Sequence, residues 1–474
     1  MPHERRHHLQ NHQSHQRLGR KPHNQSSRPP SPPQKAPPPQ KAPPQQKTPP
    51  PQKSHLHIHL HIRLPHPHPP TPQNPTFRRF WLGHTISLTG DEIHRIALPL
   101  TAILLFTATP TTMAWLTAAP MIPALLLSIP IGIWTDRRPS RRKIMLIADL
   151  GRFAAVASIP LAYALGVLTL AQLLITSLLI GVLQVFFSVA DNTLFAAMVP
   201  PKDLVEASAW NNGSRAFAYC SGPSLGGLLV QLCRAPFALV ADALSYLASA
   251  LALSRISPVE PAPERPQKGA AGYLSGLTWV LRTPGIRALL GAVAVLNFFD
   301  FIFQALFVLY AVTYLHISPG LLGLVLGAGA VGGLVGATLT SRVVARIGIG
   351  TSIVVGCVAF AAPHALVPLA AGPKGVIVLM LFATEFLTGM AIMVLDTSAG
   401  AYVTAVMPDT LRSRISGVLQ TVNYGIRPIG ALTGGWLASA VSVRSSLWIS
   451  TIGSTLAVLC ILPSPIRKLR ELPT

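Results

Sequence analysis

From Phe80 onward the chain alternates stretches of about 20 apolar residues with short polar breaks. A helix needs that length to cross the hydrocarbon core of a bilayer, and such a stretch is apolar around its whole circumference. The stretches fall at 80–106, 112–134, 144–165, 168–190, 211–231, 235–254, 287–312, 319–341, 351–370, 374–397, 415–439 and 444–463, which predicts twelve transmembrane helices. The longest break, Ser257 to Leu281, is rich in proline and charge and cuts the set into six and six. The predicted class is an all-α integral membrane protein: a first six-helix half at 77–256, a cytoplasmic loop at 257–284, a second half at 285–466 and a short cytoplasmic end at 467–474.

The two halves repeat one another. Met198-Val199-Pro200-Pro201-Lys202-Asp203-Leu204 leads into the fifth helix, and Val406-Met407-Pro408-Asp409-Thr410-Leu411 leads into the eleventh. Pro201 stands 25 residues before Gly226-Gly227 and Pro408 stands 26 before Gly434-Gly435, a spacing that points to parallel repeats with a solute site between them.

Composition and charge agree with this layout. At 474 residues, 50% hydrophobic and 11% charged, the chain has too few charges to cover a soluble surface of its size. The net charge of +22 is concentrated at one end: residues 1–79 hold 13 Lys and Arg against the single acid Glu4, so the charge is no sign of a nucleic-acid partner. Elsewhere cations gather in alternate loops at Arg137–Lys143, Arg282, Arg287, Arg342, Arg346, Arg412 and Arg414, so the positive-inside rule predicts both termini in the cytoplasm of a cell membrane. Residues 1–76 form a distinct segment with Pro-Gln-Lys repeats and His55, His57, His59 and His61. It lacks an apolar set that could offset ordering entropy and is expected to be disordered. It also lacks the apolar core and the small-residue cleavage site of a secretory signal. Cys220, Cys233, Cys357 and Cys460 lie in or beside apolar stretches with no paired spacing, and read as small core residues.

Two motifs carry more specific meaning. Between the second and third stretches stands Gly132-Ile133-Trp134-Thr135-Asp136-Arg137-Arg138-Pro139-Ser140-Arg141-Arg142-Lys143, five cations within seven residues in a gap short enough to be a tight turn. It resembles the loop between helices 2 and 3 of the major facilitator superfamily. Gly132, Asp136, Arg137 and Arg141 match; Pro139 replaces the usual second glycine, and Ser140 stands where a basic residue is common. The fifth helix carries Ala218-x-x-x-Gly222-Pro223-x-x-Gly226-Gly227, a spacing that lets helix backbones approach closely. It resembles the helix-5 motif of the superfamily's exporters, with Ala218 in place of the first glycine. Phe77-Arg78-Arg79-Phe80-Trp81, Gly90-Asp91, Asp149-Leu150-Gly151-Arg152 and Asp242-Ala243-Leu244-Ser245-Tyr246 are similar to one branch, the bacterial drug, macrolide and siderophore exporters related to the enterobactin exporter. The resemblance covers residues 77 to 470 and implies export by proton antiport. The arginine motif of helix 4 in many drug antiporters is missing, since 168–190 contains no arginine.

Ionic groups inside a membrane are costly and mark sites by default. Asp91, Glu92 and Arg95 fall in the first stretch, Asp300 in the seventh, Glu385 in the tenth and Arg427 in the eleventh. Asp91 is the first candidate for loading and releasing a proton, followed by Glu92, Asp300 and Glu385; the alternative is static pairing, of Asp91 or Glu92 with Arg95 and of Glu385 with Arg427. Gly132, Asp136, Arg137, Arg141 and Arg142 are expected to form a gating turn, braced by Asp149 and Arg152. Asn297, Phe298, Phe301, Asn423 and Arg427 are candidates to line a cavity for a bulky amphipathic solute. No nucleotide-binding loop, metal cage or activated nucleophile is recognisable, so neither enzyme chemistry nor a cofactor is expected. The expected partners are a small molecule, protons and lipid, with the chain acting as a monomer. Import by the same fold, or a scaffold that presents the basic tail, are the competing readings.

Overall fold

A computed structural model describes residues 75–200, 203–257 and 270–472. The tail with its His55–His61 run, the proline-rich stretch 258–269, Pro201-Lys202 and the side chain of Asp136 lie outside the described residues.

The apolar stretches fold as long helices: α1 (Pro75–Phe106), α2 (Pro110–Ala118, continued after a break by Ile122–Asp136), α3 (Arg141–Ala164), α4 (Leu170–Met198), α5 (Leu204–Cys233), α6 (Ala235–Ser254), α7 (Pro284–Leu309), α8 (Pro319–Ile347), α9 (Ile349–Ala361, continued to Leu369), α10 (Lys374–Val406), α11 (Arg412–Ala440) and α12 (Val443–Leu456). Among the described residues ten such segments are long and apolar enough to cross a membrane. The other two, α1 with 32 residues and α11 with 29, are long enough but carry ionic groups, Asp91, Glu92 and Arg95 in one and Arg412, Arg414 and Arg427 in the other. The two helices that are too polar by composition carry Asp91, Glu92, Arg95 and Arg427 of the candidate site. Several helices start on a hydroxyl cap that accepts a backbone N–H: Thr109 for α2, Ser140 for α3, Thr169 for α4 and Ser442 for α12.

The stretch 257–284, expected as loop, contains a further helix at Ala270–Arg282. Val280 is fully buried and Leu277 and Trp279 pack with it, so this helix lies with one apolar side on the second half. Its Gly276 sits against the backbone of Arg414 at the start of α11.

The halves share one packing scheme. Within the first, α1 packs on α5 and α6; within the second, α7 packs on α11 and α12. Gly226 of α5 meets the backbone of Ile93 on α1, and Gly434 of α11 meets that of Ile302 on α7. The adjacent glycines look outward to the opposite half: Gly227 faces Pro319 and Gly323 at the start of α8, Gly435 faces Pro110 and Thr111 at the start of α2. A β-carbon at either position would come within 3.0 Å of a neighbouring backbone atom, which is why only glycine fits there. Counting two residues back from each isoleucine gives Asp91 and Asp300, which therefore occupy equivalent places in the two halves.

The halves touch at the end where α2 and α8 begin. Thr111 and Ser439 hydroxyls are 3.0 Å apart, the Gly320 N–H donates to Gln231 at 2.9 Å, and the Ser224 hydroxyl donates to the Gly323 carbonyl at 3.4 Å. Toward the opposite end, which carries the Arg137–Lys143 cluster, Ile129 is 73% exposed and Val205 83%, and a β-carbon at Gly132, Gly213 or Gly417 would meet nothing.

Candidate functional site

In the first half α1, α3, α4 and α6 enclose an ionic network. Asp91 accepts a hydrogen bond from the Tyr246 hydroxyl at 2.5 Å. One turn along α1, His94 Nδ1 lies 2.8 Å from Asp242 Oδ2, and Asp242 is wholly buried beneath Gly90. Arg152 is 1% exposed; it ion-pairs with Asp149, donates to Gln184 at 2.5 Å and lies 4.3 Å and 4.5 Å from the ring centres of Phe187 and Tyr246. Asp149 and Arg152, expected to brace the 132–142 turn, both point into the helix core and join the surroundings of Asp91. Position along α3 was readable from the sequence, but the partners across the bundle were not. Asp242, Tyr246 and His94 were missed as site residues; the signal was the four-residue spacing of Asp242 and Tyr246, which places both on one helix face opposite Gly90.

A second cluster joins the halves. Glu92 and Arg95 form an ion pair at 2.6 Å, the pairing foreseen for this helix, while the Arg95 side chain stays 48% exposed and lies 5.1 Å from the Tyr219 ring centre on α5. Gly222 of the helix-5 motif is what lets α5 close on Glu92. Glu385 of α10 acts on Arg95 from the other half. Glu385 lies against Gly329 of α8 and does not pair with Arg427, contrary to the static pair considered from the sequence.

The second half answers with different chemistry. Asp300 faces His364 of α9 at 3.8 Å, and His364 packs edge-on against Phe303 and Phe360. Arg427 donates from Nε to Asn297 and from Nη2 to Asn423, each at 3.0 Å, and lies 4.5 Å from the Tyr424 ring centre and 5.2 Å from that of Phe301. Four of the five cavity candidates, Asn297, Phe301, Asn423 and Arg427, thus form one cluster. Phe298 is set apart: its ring meets Phe299 and its carbonyl meets Gly430.

At the basic turn, Ser140 caps α3 by accepting the Lys143 N–H, so the departure from the usual motif has a structural use. Arg142 bonds the carbonyl of Ile256 at the end of α6, tying the turn to its own half. Arg138 covers Trp134, which meets Phe186 of α4 edge-on. Arg141 is 2% exposed, and Arg137 ends α2. A groove of about 460 Å³ between α1, α5 and α6, lined by Thr85, Thr89, Phe217 and Ser245 among others, passes beside Gly90.

The family model described as transmembrane secretion effector matches residues 68–473. A multidrug efflux pump named Tap from Mycobacterium tuberculosis is 27% identical over 362 residues, covering 69% of this chain and 79% of the pump; one from Mycolicibacterium fortuitum is 26% identical over 351 residues, covering 69% and 81%. Among solved structures, a bacterial homologue of the iron transporter ferroportin in an inward-facing state matches with a TM-score of 0.68 at 16% identity, covering 82% of this chain and 98% of that one. A bacterial homologue of the human lysosomal transporter Spinster, inward-facing and unoccupied, matches with a TM-score of 0.62 at 15% identity, covering 82% and 96%. At that identity these likenesses bear on the fold alone.

Proposed function

Because this chain belongs to the transmembrane secretion effector family of the major facilitator superfamily, a family of small-molecule transporters, we propose that it exports a bulky or amphipathic small molecule across the cell membrane in exchange for protons. Drugs, macrolides and siderophores are the solute classes in view, and the naming of the Tap relatives as multidrug efflux pumps supports the outward direction. The observation that carries proton coupling is Asp91: an acid in mid-helix, tied to Tyr246 on one side and adjoining the Glu92–Arg95 pair that borders the gap between the halves. A carboxylic acid so placed changes its contact with water as the halves rock, which is the requirement for loading a proton on one side and releasing it on the other. Asp300 has the equivalent backbone position and is the second candidate, with Glu92 and Glu385 between them.

In this reading the Arg137–Lys143 turn and both termini are cytoplasmic, the chain works as a monomer, and the end of the bundle that carries the turn takes up solute from the cytoplasm. The division into halves at 77–256 and 285–466, with a central cytoplasmic segment between them, belongs to the same proposal. Expression of the full chain in an efflux-deficient bacterium, followed by uptake of a panel of antibiotics and siderophores, tests it. Expression should lower cellular accumulation of at least one solute, Asp91→Asn should abolish that effect, and deletion of residues 1–75 should preserve it. Raised accumulation on expression would mean import, and loss of function on tail deletion would favour the scaffold.

A further inference from the structure

Of Arg95, Arg152 and Arg427, which lie deep in the helices of the candidate site, two have a carboxylate on them: Arg95 has Glu92 at 2.6 Å and Arg152 has Asp149. Arg427 is different. Its Nε and Nη2 are held by the amide oxygens of Asn297 and Asn423, which are neutral, and its plane is flanked by Tyr424 and Phe301. Among the described residues no carboxylate stands within ion-pair distance of it; Asp300 and Asp396 act on it from farther away. The two asparagines fix the fork of the guanidinium but use only two of its five N–H groups, so Nη1 and the second Nη2 hydrogen remain for a ligand. Asn297 is itself braced by donating to the Val293 carbonyl at 2.9 Å.

A cation in the middle of a membrane protein is retained at a cost, and an oriented fork with spare donors is the geometry that recognises a carboxylate or phosphate by two parallel hydrogen bonds. Tyr424, 53% exposed, and the half-buried Phe301 supply aromatic surface beside the charge. We propose that Arg427 anchors an oxyanion, in the first instance a carboxylate, carried by an aromatic amphipathic solute that this protein transports. The proposal rests on the export reading for the word transported, but the binding it asserts does not depend on direction or on protons. The Arg95 side, neutralised by Glu92 and facing Glu385, would then receive the uncharged or cationic remainder of the solute.

Binding of pyrenebutyric acid and of its uncharged methylamide to the purified full chain, in nanodiscs of phosphatidylcholine, tests this directly. The acid should bind at least tenfold more tightly than the amide. Arg427→Gln should erase that preference, with an unchanged circular-dichroism spectrum and a single symmetric size-exclusion peak showing that the variant is folded; Arg427→Lys should keep part of the preference, since it keeps the charge and loses the fork. Equal binding of acid and amide to the parent protein, or a preference that survives Arg427→Gln, overturns the proposal. Nanodiscs containing phosphatidylglycerol provide the remaining arm: acid binding should be unaffected, and competition that depends on Arg427 would assign the site to an anionic lipid headgroup instead. Failure in any arm leaves the export reading standing, whereas failed efflux with an intact acid preference would sink the export reading alone.

Discussion

The two halves are built on one backbone plan and furnished with opposite chemistry. In both, a glycine on the fifth helix of the set closes on an isoleucine of the first, Gly226 on Ile93 and Gly434 on Ile302, and an aspartate stands two residues before that isoleucine. In the first half the aspartate is embedded among groups that pair with one another: Tyr246, the His94–Asp242 pair and Arg152 with Asp149. In the second half the same position meets a histidine at 3.8 Å, and the nearby arginine is held by amides and aromatic rings. One close contact is mirrored in inverse form, since Gly90 on α1 makes room for Ser245 on α6 whereas Gly453 on α12 makes room for Phe299 on α7. Repetition thus fixes where groups sit, and divergence decides what they do: a closed ionic network on one side, a cation with spare donors on the other.

The shared plan predicts the largest effect. If the contact at the starts of α2 and α8 has to open for solute to leave, joining Thr111 to Ser439 should stop transport completely. In a background with Cys220, Cys233, Cys357 and Cys460 replaced, Thr111→Cys with Ser439→Cys should lose all efflux on oxidation and regain it on reduction; efflux that continues in the cross-linked protein would break the scheme.

The divergence predicts unequal stability losses. Arg152→Ala strands Asp149 in the core and should cost about 3–5 kcal/mol, seen as loss of folded protein in fluorescence-detected size exclusion, with recovery when Asp149→Ala is added. Arg427→Gln strands no carboxylate and should cost about 1 kcal/mol. Equal losses at the two arginines would erase the distinction drawn between the halves. Between these two, Gly226→Val and Gly434→Val should each cost about 1–3 kcal/mol in thermal unfolding, and by similar amounts, because the two glycines play one role.

The frame of the molecule was legible because lipid imposes it: length and hydropathy locate the rods. Even α1 and α11, whose charges dilute their apolar character, were readable from length and context. The central break was harder, since Ala270–Arg282 buries only one side and looks like polar linker when read for span length. Of the candidate site, Asn297, Phe301, Asn423 and Arg427 could be picked out because polar and aromatic residues stand out in apolar helices, but their contacts with one another could not. Nor could the partners of Asp149 and Arg152, because sequence gives depth along a helix but not which neighbour the side chain meets. His364 shows the same limit: it sits at the end of α9, where the tight turns beginning at Ala362 swing it toward α7. Tyr219 was hidden inside a motif read only for its small residues.

The account turns on Asp91 as the group that exchanges a proton for solute, with its structural twin Asp300 in a lesser part. The direct measurement is solute accumulation in everted membrane vesicles under an imposed pH gradient, acid inside, for whichever panel compound the expressed chain excludes from cells. The parent protein and Asp300→Asn should accumulate solute only when the gradient is present, the latter more slowly, while Asp91→Asn should accumulate none and still bind the compound. Gradient-driven accumulation by Asp91→Asn at the rate of the parent protein would contradict the account.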